Sequence, residues 1–195
     1  MLVTFPRSGQ TILRNVLKNL CIKHKIDYSY CEFYGCCSKI PCEKGYMFQK
    51  NHDFNSDLPI IKNLKYVVMY RKDLILQLEA YYRFSIKKTP EKYNYNSLLE
   101  FIKMQKPYYD KFVEKWINNK NENILKLEYY DYISNPVKYS RMLFCHVLPN
   151  VNKKITIDES DLEVMVPELG KKTNIKVLNI MDPAIYDRLC EDLEI

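Results

Sequence analysis

A chain of 195 residues, 47% of them hydrophobic and 28% charged, can bury one ordinary core and is too apolar to stay disordered. Its longest uncharged apolar runs, such as residues 66–70, fall far short of the ~20 residues that cross a bilayer, so no membrane-spanning helix is expected. A formal net charge of +6 suits an anionic ligand but is mild for a nucleic-acid binder, so neither nucleic acid nor membrane is expected as a partner.

Leu2-Val3-Thr4-Phe5 is a short apolar run that reads as a strand. Pro6 breaks it, Arg7-Ser8-Gly9-Gln10-Thr11 makes a polar turn, and Ile12, Leu13, Val16, Leu17 and Leu20 then recur at helical spacing. The first residues show neither a charged n-region nor an apolar h-region, so no secretory signal is visible and a cytoplasmic location is expected. Residues 25–60 read as irregular. They hold four of the seven cysteines, as Cys31-x4-Cys36-Cys37-x4-Cys42. That spacing matches neither the paired C-x2-C of zinc sites nor a complete disulfide framework, and the total is odd. Reduced structural thiols are the primary reading; a metal site or a local disulfide is the alternative.

A second strand is predicted over residues 65–70, followed by an amphipathic helix over 74–84. Residues 97–119 read as one or two helices interrupted at Pro107. A third strand follows at 124–127 and a helix at 137–148. A closing helix spans 181–193, with Asp182 as N-cap and Pro183 in its first turn. Strands alternating with helices predict an α/β fold with a central parallel sheet flanked by helices. With no internal repeat, linker or composition break, residues 1–195 read as a single domain.

In such a sheet, ligands sit outside the carboxyl ends of the strands, where helices begin. The turn at Arg7-Ser8-Gly9-Gln10-Thr11 lies there. Gly9 allows a positive φ and a close approach of backbone to ligand. The N–H groups at the helix start favour a phosphate or sulfate oxygen, Arg7 adds a permanent charge, and Ser8 and Thr11 add hydroxyls. The alternative is an ordinary turn capped by Ser8 or Thr11. No G-x4-G-K-[ST] occurs anywhere, which disfavours a nucleotide triphosphatase. The chain has only four glycines, where about 7% is usual, and Gly9 is one of them.

Phe5-Pro6-Arg7-Ser8-Gly9-Gln10-Thr11-Ile12-Leu13 resembles the 5′-phosphosulfate loop of sulfotransferases that use 3′-phosphoadenosine 5′-phosphosulfate (PAPS). Further segments follow in the family's order. Lys50-Asn51-His52 is similar to its K-[TS]-H segment, with Asn in place of Thr or Ser. Tyr70-Arg71-Lys72-Asp73 is similar to its 3′-phosphate segment, although the proline after the arginine is missing. The serine expected there is Glu79 in an ungapped register and Ala80 in a gapped one. Residues 124–136 resemble the family's next strand and its [DN]-P turn, and Leu169-Gly170-Lys171-Lys172-Thr173 its closing loop.

The resemblance implies a P-loop NTPase-like sulfotransferase fold and in-line transfer of a sulfuryl group from PAPS. The acceptor would be a small molecule, carbohydrate or peptide, and the product adenosine 3′,5′-bisphosphate. It implies His52 as the base, because an imidazole near neutral pKa can take a proton from an attacking hydroxyl. His24 and His146 fall in predicted helices without comparable context. Arg7 and Lys50 would assist catalysis. Arg7, Ser8, Gly9, Gln10, Thr11, Ile12, Arg71, Gly170, Lys171 and Lys172 would bind the cosubstrate, with no metal called for. Two alternatives stay open: a catalytically silent nucleotide-binding or interaction module of the same fold, and a kinase-like P-loop enzyme. Tyr28, Tyr30, Phe33, Tyr34, Tyr81 and Tyr82 could line an acceptor pocket or belong to the core.

Overall fold

The five strands are built from the most apolar stretches of the chain and from two polar ones. The computed structural model describes residues 1–149, 157 and 181–195. Strands β1 (Leu2–Thr4), β2 (Tyr30–Cys31), β3 (Phe48–Asn51), β4 (Tyr66–Tyr70) and β5 (Ile124–Glu128) form one all-parallel sheet in the order β2-β3-β1-β4-β5. The central strand β1 is wholly buried, with Leu2 opposite Val67 on one side and Lys50 on the other. A parallel strand covered on both faces needs apolar side chains in both directions, which is why β1 and β4 read as unbroken apolar runs.

The two-residue period of a strand divides those side chains between two cores. Leu2, Val67, Met69 and Leu127 point to the face covered by helix α1 (Gln10–Lys23), the short helix α4 (Tyr129–Ser134) and α5 (Pro136–Val147). Val3, Phe5, Tyr66, Val68 and Ile124 point to the other. That face is covered by α2 (Leu74–Ser85), α3 (Tyr95–Phe112), a π-helical turn at Val113–Ile117, and α6 (Pro183–Leu193). The expected α/β architecture with a parallel sheet is what the chain adopts.

Three local expectations change. Residues 25–60 contain β2 and β3, which have too few apolar residues to show as strands. Pro107 does not interrupt α3. The proline and Lys103, whose carbonyl it displaces, both face solvent, where water can serve that carbonyl, while Ile102, Tyr109 and Phe112 hold the opposite side in the core. The segment after β5, expected as a turn, winds into α4, whose N-cap Glu128 accepts the Asp131 N–H at 2.9 Å. The closing helix starts as predicted, with the Asp182 carboxylate accepting the Ala184 N–H at 2.9 Å.

A candidate anion and transfer site at the carboxyl ends of the strands

Helix α1 leaves β1 on one face of the sheet and α2 leaves neighbouring β4 on the other, which makes the carboxyl ends of these two strands the switch point at which such sheets place a ligand crevice. The loop from Phe5 to Gly9 lines it. Arg7 (φ 68°) and Gly9 (φ 103°) both take left-handed conformations, and α1 starts with the Leu13 N–H on the Gly9 carbonyl at 3.2 Å. No side-chain cap closes the helix start and no acidic residue lies in its first turn, so the N–H groups of Gln10, Thr11 and Ile12 have no intrahelical partner. The capped-turn alternative is therefore not what forms here. The loop is fixed from behind: Gln77 Nε2 donates to the Pro6 carbonyl at 2.6 Å.

The side chains of the loop divide in role. Ser8 is buried, its hydroxyl 2.6 Å from the Phe5 carbonyl and 2.7 Å from that of Met69, so it braces the loop and does not face a ligand. Arg7 is exposed and its guanidinium lies 4.7 Å from the Phe84 ring centre. Thr11 is exposed, whereas Gln10 and Ile12 are half-buried. The Gln10 Nε2 is buried without a hydrogen-bond partner.

Arg71, one residue past β4, is only 9% exposed. Its guanidinium lies over the Tyr129 ring at 4.4 Å and reaches the Tyr130 hydroxyl at 3.4 Å. Its Nε is buried without a partner, and no carboxylate among the described residues pairs with it. The same Tyr129 ring lies against Gly9: a Cβ there would come within 2.9 Å of it. One ring thus separates the helix start from the buried cation. The Tyr109 hydroxyl, 2.8 Å from the Arg71 carbonyl, fixes the backbone at that point. A buried guanidinium lacking an anion is costly unless a ligand supplies one. Glu79 does not supply it: its carboxylate takes the Arg83 Nε–H and the Tyr93 hydroxyl.

His52 follows β3, beside the end of β1. Its Nδ1 is 2.7 Å from the Thr4 carbonyl, which can only accept, so Nδ1 carries the proton and Nε2 holds a free lone pair. Burial pushes its pKa below the ordinary 6.5, helped by Lys50 and opposed by the Thr4 hydrogen bond and Glu32. The Tyr108 hydroxyl donates to the His52 carbonyl at 2.6 Å. Asp53 then turns the chain at φ 51°, accepting Lys115 Nζ and Trp116 Nε1, each at 2.7 Å. Phe54 lies 5.3 Å from the imidazole between Tyr34 and Tyr108, and both Phe54 and Tyr34 are exposed.

Lys50 differs from expectation. Its Nζ is 2.6 Å from Glu32, which also pairs with Arg14 at 3.1 Å. Glu32, Tyr129 and the Asp53 hub carried no signal in the sequence, since each matters only through a partner distant in the chain. Tyr28 and Tyr30 pack on the α1 core, Tyr81 and Tyr82 pack with Phe101 against the α2–α3 core, and Phe33 packs on Tyr34, which reaches His52 through Phe54. Gly170, Lys171 and Lys172 lie outside the described residues.

No protein-family model matches the chain, and no curated protein matches its sequence. Among the described residues no helix is long and apolar enough to cross a membrane.

Proposed function

We propose that this chain is a PAPS-dependent sulfotransferase of P-loop NTPase-like fold, and that the crevice between β1 and β4 holds the cosubstrate. The observation that carries this reading is Arg71, a buried guanidinium with no carboxylate partner among the described residues, one aromatic ring away from an uncapped helix N-terminus. Two anion sites at that separation suit a ligand with two phosphates better than one with a single phosphate chain. The N–H groups of Gln10, Thr11 and Ile12 receive the 5′-phosphosulfate, with Gly9 admitting it to the backbone. Arg71 receives the 3′-phosphate, and Gly170, Lys171 and Lys172 are the further residues assigned to that phosphate. Absence of a lysine in the Gly9-Gln10-Thr11 turn favours this ligand over a nucleoside triphosphate with magnesium.

The chemistry follows from His52. Its Nε2 takes the proton of an acceptor hydroxyl or amine as the acceptor atom bonds to sulfur. The bond from sulfur to the bridging oxygen of the 5′-phosphate breaks in line, and adenosine 3′,5′-bisphosphate leaves with the electron pair. Charge developing on that oxygen is met by the helix N–H groups and by Arg7 at the rim of the crevice. Positioning and fixed charge carry most of such a group transfer. Lys50 reaches the sulfuryl group only by leaving Glu32. Tyr34 and Phe54, exposed beside the imidazole, suit an acceptor with a phenol or sugar ring.

The test uses PAPS carrying a radiolabelled sulfuryl group, offered with a panel of phenols, sugars and peptides. Transfer is expected, and His52→Ala is expected to abolish it while adenosine 3′,5′-bisphosphate still binds. Equal loss of both makes His52 structural. A second reading, a nucleotide-binding module without turnover, is favoured by the inward Ser8 hydroxyl and the neutralised Lys50. Binding of the bisphosphate with no transfer to any acceptor selects it. A thermal shift with ATP and magnesium but none with the bisphosphate selects a kinase-like enzyme instead.

A further inference from the structure

Cys31 is the last residue of β2, and the chain beyond it doubles back twice before entering β3. Left-handed Phe33 (φ 58°) makes the first reversal, its carbonyl accepting the N–H groups of Cys36 at 3.0 Å and Ser38 at 3.1 Å. Left-handed Ser38 (φ 50°) makes the second, and the Gln49 Nε2 donates to the Lys39 carbonyl at 2.6 Å, tying the return to β3. The outcome is that the sulfurs of Cys31, Cys36, Cys37 and Cys42 all lie within 4.8 Å of one another. Cys31 and Cys42 are buried and the other two half-buried. The Phe33 N–H donates to the Cys31 sulfur at 3.3 Å, an outer contact that orients the thiol.

We propose that these four cysteines form a tetrathiolate site for one zinc ion. Tetrahedral zinc with bonds of about 2.3 Å sets its sulfurs about 3.8 Å apart. The Cys37 and Cys42 sulfurs are 3.6 Å apart, and the whole set lies within an ångström or so of the required edge. The same 3.6 Å is far beyond the ~2.05 Å of a disulfide bond. Four soft ligands gathered within 4.8 Å of one another, two of them buried, match a structural zinc ion better than a hard cation or a catalytic metal with an open position. Thiols bind as thiolates, so loading releases up to one proton per cysteine and involves no change of oxidation state.

The consequence is local and structural. Glu32, next in sequence to Cys31, holds both Lys50 and Arg14. A metal knot spanning residues 31–42 would fix that carboxylate beside β3, against Lys50, two residues before His52. The inference stands whether or not the chain transfers sulfuryl groups, because its readout is metal content.

The full chain, purified under reducing conditions from zinc-supplemented cells, is expected to carry about one zinc per molecule by elemental mass spectrometry. Anaerobic titration of the zinc-free chain with cobalt(II) should give tetrahedral absorption bands together with intense thiolate-to-metal charge transfer. Cys42→Ser is expected to weaken zinc binding at least ~100-fold. Cys36→Ser, at a half-buried position, should act in the same direction where Cys42→Ser fails to fold. Cys145→Ser and Cys190→Ser should leave the stoichiometry unchanged. The proposal is overturned by a reduced, folded chain that takes neither zinc nor cobalt, or by cobalt binding without charge-transfer absorption. It is equally overturned by iron in place of zinc, or by unchanged metal content in both Cys42→Ser and Cys36→Ser.

Discussion

A methyl group added at Gly9 meets the Met69 sulfur at 2.8 Å and the Tyr129 ring at 2.9 Å, at a φ of +103° that L-residues rarely adopt. Neither neighbour is free to withdraw: Met69 is buried in β4, paired on both sides, and Tyr129 separates the loop from Arg71. Gly9→Ala is therefore expected to cost about 1–3 kcal/mol of stability, read by urea denaturation, and to weaken adenosine 3′,5′-bisphosphate binding more than stability alone explains. Normal binding would separate the loop from the ligand. His52 makes a pH prediction. Burial lowers its folded-state pKa, so the unfolded chain binds the proton more readily. His52 thus leaves stability untouched above the ordinary 6.5 and subtracts from it as pH falls below that value. The neutral base persists over the same range. The transfer rate should stay level from about pH 7 to 6.5 and decline only at lower pH. An acidic limb centred above 6.5 would rule out His52, as this structure holds it, as the base.

At the scale of elements, Asp53 joins the end of β3 to the π-helical turn after α3. Its buried carboxylate serves the Leu58 N–H at 2.8 Å, the Lys115 ammonium and the Trp116 indole. Asp53→Ala leaves the mostly buried Lys115 ammonium with the Ser56 carbonyl but no counter-charge, and the fully buried Trp116 indole N–H without its acceptor. A loss of about 3 kcal/mol is expected in urea denaturation, with His52 displaced as a consequence. A loss below about 1 kcal/mol would mean that water replaces the carboxylate. This hub also shows why some elements were legible in the sequence and others were not. β1, β4 and β5 stood out because strands buried on both faces must be largely apolar. In β3, Gln49 bonds the Lys39 carbonyl, Lys50 pairs with Glu32 and Asn51 accepts the Asp53 N–H. Gln49 and Lys50 are satisfied by tertiary partners and Asn51 by the turn that follows, so no apolar or alternating pattern exists to be read. Pro107 misled for the converse reason: the propensity against proline is weaker than the packing of Ile102, Tyr109 and Phe112 on the same helix.

For the whole molecule, the order β2-β3-β1-β4-β5 sets β1 at the centre, and its two neighbours bring the other candidate residues beside its end: His52 after β3 and Arg71 after β4. Those two residues and the Gly9 loop were legible because their local sequence is distinctive. The inward Ser8 hydroxyl, the Glu32 clasp on Lys50 and the convergence of four cysteines were not, because each depends on how distant segments meet. The cysteine spacing in particular fits no familiar zinc pattern until two left-handed residues fold the loop back on itself. On the proposed reading, the crevice between β1 and β4 holds a ligand with two separate phosphate groups, one at the helix start and one on Arg71. Calorimetric titration of the wild-type chain and of Arg71→Ala with adenosine 3′,5′-bisphosphate and with adenosine 5′-monophosphate tests it directly. The wild type is expected to bind the bisphosphate more tightly, and Arg71→Ala to lose at least ~10-fold in affinity for the bisphosphate alone. Equal affinity of the wild type for the two ligands, or a bisphosphate affinity unchanged by Arg71→Ala, would contradict it.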